Sequence, residues 1–480
     1  VIADWLEIAR INAPLLLVTA PLVGAALAAA IVNARASWAV AVLAALVTAA
    51  FAIDLGLRGL FSAAATGISR HDGAGLFAAP LLASAGALVM LALGAMNKDV
   101  TERTAPFSFA LVLVLIAGWC GALVARDLVS LFVAVETAWL AGIGLAAMSA
   151  ERDRAALSGA LRMLIAGGVG AALMLLGVGL VAHGVGDTRL LAFANAQIVA
   201  PEITSIGVAL ILLALAIKAG AAPFHFWVGA AFGRTGAALA LGALAAFGAV
   251  AVLVRVAGFA FAAPALGSGV AALLTIVGAA SVVIGSLHAS GARNLKRLAA
   301  YAGVAQIGCI LLSAALGSPA GIAAALVQMF AMLAAALALF GGGAAMGGVA
   351  LPSLDGLGRR APLASVAISV AALSLMGAPL TTGFLGRWRM IEAGVGVGWW
   401  WAACAVVAAS LAGVFYAGRL IDRLYFRKSS APYVGEGGAW RWLFAPMLAV
   451  AIFAILLGLE PVWLLAAADA AAARMMGLAP

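Results

Sequence analysis

Along the 480 residues, apolar stretches of about twenty residues or more follow one another, separated by short charged or Gly/Pro-rich breaks. Within each stretch the apolar residues are continuous. They do not alternate with polar ones, which predicts membrane-spanning helices and excludes a β-barrel. The pattern predicts fourteen segments, near 11–32, 37–57, 75–96, 105–125, 128–149, 157–183, 203–230, 235–262, 266–289, 297–316, 319–345, 361–397, 399–426 and 441–468. The connections are short, the longest polar one running from Arg427 through Gly438, so a single all-α polytopic membrane domain is expected.

Composition agrees with that pattern. The chain is 66% hydrophobic and 9% charged, with mean hydropathy +1.19. A soluble domain carries about a quarter charged residues, so a soluble fold, disorder and a large extramembrane domain are excluded. The net charge of +9 is read as loop arginines that set orientation, not as a nucleic-acid surface. Alternate connections carry seventeen and seven Lys and Arg, with Arg255 counted on the poorer side. The richer side is expected to face the cytoplasm of a bacterial inner membrane, with both termini outside. No cleavable leader is expected in the first residues. Cys120, Cys309 and Cys404 lie in apolar runs without metal spacing and read as small hydrophobes.

Two segments are interrupted. In the seventh, Lys218-Ala-Gly220-Ala-Ala-Pro223 precedes Phe224-His225-Phe226-Trp227, and in the twelfth Gly377-Ala-Pro379 opens a gap through Gly383. Glycine loosens a helix and proline removes a donor, so carbonyls without partners are expected near mid-membrane. Breaks at matching points suggest two inverted five-helix repeats, about 104–262 and 266–426, flanked by helices within 11–96 and 441–468.

Charges inside apolar runs cost several kcal/mol and call for a reason. Glu136 lies nine residues beyond Asp127, about 13 Å deep at 1.5 Å per residue. Lys218 lies just before the first break. A desolvated lysine, unlike arginine, can give up its proton, and a carboxylate beside it keeps the proton on. A Glu136–Lys218 pair of variable separation is therefore a candidate proton switch. His225 is a candidate relay or a packing residue. Arg162 is read as modulating a neighbouring charge or snorkelling to the interface. Beyond the second break, the spacing of Arg389 and Glu392 permits a helical ion pair, which leaves Arg387 as the unmatched cation. Arg293, Lys296 and Arg297 read as a loop cluster.

These segments resemble the antiporter-type membrane subunits shared by respiratory complex I, membrane-bound hydrogenases and Mrp cation/proton antiporters. The resemblance covers nearly the whole chain. It rests on Ala117-Gly118 through Asp127-Leu-Val-Ser-Leu-Phe-Val and Glu136, and on Ile217-Lys218 through Trp227. It rests also on Asn294 through Tyr301 with Gln306-Ile-Gly308, and on Leu373 through Gly383-Phe-Leu-Gly-Arg387. The fourth and fifth segments look most like the D-type Mrp subunit. The resemblance implies fourteen helices, inverted repeats and a midplane row of charges, in which Glu136 matches the fifth-helix glutamate and Lys218 the seventh-helix lysine. Where the family usually has further ionisable residues, this chain has Phe247, Phe330, Ala334 and Arg387. The expected function is proton translocation, or exchange of a monovalent cation such as Na+ for protons, within a multi-subunit membrane complex. The chain has no cofactor, metal or catalytic chemistry of its own by this reading. The alternatives are a proton-pumping module of a redox-driven complex and a structural or coupling subunit that conducts little; a stand-alone solute permease ranks below both.

Overall fold

A computed structural model describes residues 12–61, 72–96, 104–148, 154–192, 198–234, 238–345, 350–428 and 440–478. The long polar connection expected after Arg427 lies mostly outside these residues. The apolar runs fold as helices α1 (Ala13–Ala30), α2 (Ala34–Phe61), α3 (Gly73–Met96), α4 (Ala105–Val124), α5 (Leu128–Met148) and α6 (Arg154–Val185). The seventh segment is α7 (Pro201–Ala219) and, after a break, α8 (Val228–Arg234). Then come α9 (Ala238–Phe261), α10 (Pro264–Gly291), α11 (Leu295–Ala315) and α12 (Pro319–Ala345). The twelfth segment is two short helices, α13 (Pro362–Met376) and α14 (Thr382–Gly396). The last are α15 (Trp400–Ile421), α16 (Trp440–Leu459) and α17 (Val462–Met475). Proline stands in the first turn of α4, α7, α10 and α13, where its missing N–H would have no partner anyway.

Among the described residues, twelve helices are each long and apolar enough to cross a membrane. A thirteenth crossing results if α17 is joined to the end of α16. The broken pair α13 and α14, too short singly, fills the remaining expected segment. The last segment differs from expectation: it stops at Glu460-Pro461 and turns by 81° into α17. Proline cannot continue the hydrogen-bond ladder there.

Helix α9 is buried along its whole span, and α11 and α12 nearly so, which makes these three the centre of the bundle. Around them, helices such as α6 present exposed leucines (Leu157, Leu161, Leu164, Leu175) on the outer face, as expected for a surface solvated by lipid. Helix α9 contains a π-helical turn at Leu241–Ala245, closely packed by the Phe340 ring over Gly242. Such turns hold one extra residue relative to the α-helix.

Candidate functional site

Helix α5 is started by Asp127, whose Oδ1 accepts hydrogen bonds from the Val129 and Ser130 amides at 3.0 and 2.8 Å. Partial burial opposes the Asp127 charge. The hydrogen bonds from Ser130 and Val129 outweigh that and hold its carboxyl below the usual carboxylate range. The cap is therefore fully effective above that range and is lost as pH falls through the depressed value. Asp127→Ala is expected to cost about 0.5–2 kcal/mol, read as a lower unfolding temperature in detergent at neutral pH. The difference from wild type should shrink in acid.

From this start, α5 carries Glu136 inward to meet Lys218 at the end of α7. The Lys218 ammonium is fully buried and lies 2.9 Å from Glu136 Oε1, the carboxylate itself being 19% exposed. The Trp139 ring, one turn after Glu136, lies 4.8 Å from the ammonium, a cation–π contact. Trp139 is fixed by its indole N–H to Met163 O (3.2 Å) and meets Trp227 edge-on at 5.0 Å. The pair expected from sequence is thus assembled, with an aromatic wall from Trp139 of α5 and Trp227 beyond the break.

The two breaks use the same local chemistry. Gly220 and Gly377 adopt left-handed φ of 77° and 78°, a conformation that side chains disfavour. At each, two amides fold back onto the helix just ended: Gly220 to Ile217 O and Ala221 to Ala216 O, Gly377 to Ser374 O and Ala378 to Leu373 O. Of the carbonyls expected to lack partners, those of Ala216, Ile217, Leu373 and Ser374 are thus satisfied. Ile217 O also accepts from the Trp227 indole at 3.0 Å, and the Ala222 amide, just before Pro223, donates to Ser281 Oγ at 2.8 Å. At the second break, Pro379 lies in the turn and α14 already begins at Thr382, so Gly383 belongs to the helix and not to the gap. A Cβ there would overlap the Ser374 carbonyl.

Arg387, from α14, reaches back over this break. It donates to Met376 O (2.5 Å), to Ser410 Oγ (2.6 Å) and to Leu375 O. Among the described residues no carboxylate forms an ion pair with it, as expected from sequence. Leu375 O also accepts from Gln306 Nε2 (2.8 Å) and the Tyr416 hydroxyl (3.3 Å), and Gln306 is bonded in turn by Gln328. The sequence reading used Gln306 only as part of a motif and missed Gln328, Ser410 and Tyr416. The available signal was uncharged amides within apolar helices. Arg389 pairs with Asp469 of α17 at 2.8 Å and not with Glu392, because the turn after α16 brings a carboxylate across from another helix.

Between Lys218 and the Arg387 cluster lies a cavity of about 20 Å³ lined only by apolar residues, among them Ala219, Val228, Phe232, Ala246, Phe340 and Leu375. That is room for about one water, with no polar side chain to hold it. Phe247, Phe330 and Ala334 are likewise buried in the apolar core.

His225, in a short 3-10 turn after the first break, lies with Nε2 3.1 Å from Nδ1 of His288 on α10. Arg162 is exposed and donates to Phe226 O at 3.5 Å, lining a pocket of about 370 Å³ with Ser158, Arg297 and Tyr301. Lys296 is buried in the first turn of α11, behind the Asn294 cap, and so does not belong to a loop cluster.

The largest departure is Arg255. It is no outer loop residue: it lies 2% exposed within α9 and grips Asp72, also 2% exposed, through Nη2 at 2.5 Å and Nε at 2.8 Å. It donates further to Ala122 O (3.0 Å) and Ala125 O (2.5 Å) at the turn from α4 to α5. Removing it from the poorer side makes the charge asymmetry of the connections larger.

Comparison with known proteins agrees with this architecture. Residues 125–412 match the family described as NADH:quinone oxidoreductase/Mrp antiporter, TM. NADH-quinone oxidoreductase subunit N 2 of Solidesulfovibrio magneticus is 31% identical over 424 residues, covering 85% of this chain and 86% of that protein. Two solved chains share the fold at 22% identity. One is from the membrane-bound sulfane sulfur reductase, an archaeal respiratory membrane complex (TM-score 0.84, 96% of this chain and 97% of that one). The other is from the Mrp complex of a Dietzia species (TM-score 0.79, 97% of each chain). The chain is therefore a multi-pass membrane protein that belongs to the NADH:quinone oxidoreductase/Mrp antiporter family.

Proposed function

We propose that this chain is a proton-translocating subunit of a multi-subunit, complex I-like assembly in a bacterial inner membrane, with Glu136 and Lys218 as its switch. The observation that carries this reading is the fully buried Lys218 ammonium, held by one carboxylate at the point where a helix is broken. Movement of α5 against α7 would lengthen or shorten that contact, and a carboxylate close to an ammonium favours the protonated lysine. The likeness to a subunit N favours a redox-driven assembly with further membrane chains as partners.

In this reading the charge-rich face is cytoplasmic, both termini lie outside, and residues 104–262 and 266–426 form inverted repeats. The matched caps at Gly220 and Gly377 support that symmetry. His225 feeds Lys218 from the charge-rich side, while Arg162 adds positive potential at the interface. Arg387 keeps its proton under all ordinary conditions, so it anchors the second break and releases nothing. The apolar cavity between the halves favours a second reading, a coupling subunit through which few protons pass.

Glu136→Gln keeps the size of the side chain and removes its charge. In inverted vesicles carrying the intact complex, it is expected to lower proton uptake per driving turnover about ten-fold, the loss of roughly 1.4 kcal/mol of coupling. Glu136→Asp should retain part of the uptake. Unchanged uptake by Glu136→Gln in a fully assembled complex would overturn the conducting reading in favour of the coupling one. Replacing sodium by choline in the medium separates the ions: proton translocation persists, whereas Mrp-type cation/proton exchange stops.

A further inference from the structure

We propose that His288, with Tyr301 beside it, is the mouth of the proton path, passing protons between a polar vestibule and His225; this rests on the translocation reading above. His288 lies three residues before the end of α10, about 4.5 Å along the helix axis from its terminus. It is exposed, while its Nδ1 is 3.1 Å from Nε2 of the partly buried His225. Two imidazoles at that distance share one hydrogen, one ring donating and the other accepting. His288 is the exposed member of the pair, and Nδ1 of His225 is buried.

Tyr301 of α11 links this pair to water. Its ring centre lies 5.0 Å from that of His288 and 6.3 Å from that of His225. Tyr301 also lines the pocket of about 370 Å³ together with Arg162, Arg297, Ser158 and Phe226. At about 30 Å³ per water, that volume holds roughly a dozen molecules. Vestibule, Tyr301, the His288–His225 pair and the break after Lys218 therefore adjoin one another at the charge-rich face.

The transfer balances as a relay. A proton binds Nε2 of His288, its Nδ1–H bond breaks as His225 Nε2 takes that proton, and the proton released from His225 Nδ1 is taken up by the deprotonated Lys218 amine across the break. Both rings end neutral with exchanged tautomers, and a ring flip or exchange with vestibule water resets them. Arg162 of α6 and Arg297 of α11 line the vestibule, and Arg419 of α15 donates to Ala289 O and Ala292 O beside His288.

The test uses inverted vesicles with the assembled complex and measures initial proton uptake per driving turnover. His288→Ala is expected to slow uptake about ten-fold or more, most strongly toward the upper end of about pH 6 to 8. Imidazole added to the medium restores part of that rate, measured against wild type in the same imidazole. His288→Gln keeps a hydrogen bond to His225 but cannot exchange protons, and it should remain slow. Wild-type rates in His288→Ala, recovery in His288→Gln, or loss without imidazole rescue would each overturn the assignment. Lys218→Ala, run in parallel, separates the two levels. If Lys218→Ala is silent and His288→Ala normal, only the relay fails; if Lys218→Ala transports normally, the underlying translocation reading fails.

Discussion

Lys218→Ala is expected to abolish proton translocation while the complex still assembles and turns over its driving reaction. The ammonium is wholly enclosed, with Glu136 at 2.9 Å and the Trp139 face at 4.8 Å. Alanine removes the group that binds the proton and leaves Glu136 without its cation. Lys218→Arg is the sharper variant, since guanidinium keeps the positive charge and the pairing but does not release a proton. Loss of translocation in both variants, at least about a hundred-fold by comparison with other positioned acid–base groups, identifies deprotonation as the required event. Retention in Lys218→Arg alone would show that only the charge matters and would turn the site into an electrostatic anchor. Wild-type translocation in Lys218→Ala would sink the switch altogether.

Arg255→Met is expected to destabilise the protein by about 3–5 kcal/mol, because it strands the buried Asp72 carboxylate. Asp72→Leu should cost a similar amount by stranding the guanidinium. The double variant Asp72→Leu with Arg255→Met removes both charges, and such replacements are often close to neutral. Here it should recover only part of the loss, since Ala122 O and Ala125 O lose their donor as well, at about 1–3 kcal/mol for each buried unpaired group. Thermal unfolding in detergent, analysed as a double-mutant cycle, measures both the single losses and the coupling. Single variants within about 0.5 kcal/mol of wild type would contradict the buried-clamp interpretation.

How far the sequence could be read depended on what each residue costs in lipid. The helices were legible because an apolar run has only one way to satisfy its backbone there. Glu136 and Lys218 were legible because a charge deep in such a run stands out. Arg255 was misassigned because it is only six residues from the end of α9, where counting by alternate connections places it outside. Its partner Asp72 sits just before α3, more than 180 positions away, and no local pattern joins them. Gln306, Gln328 and Tyr416 carry no formal charge, so a search for charges passed over the cluster that surrounds Arg387. His288 was missed for a related reason: its meaning comes from a broken helix that delivers His225 to it, and the distance between them exists only in three dimensions. The breaks themselves were legible apart from the place of Gly383, but not their filling, since the amides of Ala221 and Ala378 and the Trp227 indole reach back from beyond the helix end.

The π-helical turn at Leu241–Ala245 bears on which changes in length this protein can tolerate. The wide turn takes up one extra residue locally, so deleting a residue there would restore regular α-helix and leave the two flanks close to their present phase. The same deletion between Ala246 and Arg255, where the helix is regular, would rotate Arg255 by about 100° and draw it in by about 1.5 Å. Arg255 would then swing away from Asp72, although no residue of the clamp had been altered. The turn packed by Phe340 is therefore the one stretch of α9 with length to spare ahead of the arginine clamp, and a deletion that spares it would be more damaging than most substitutions.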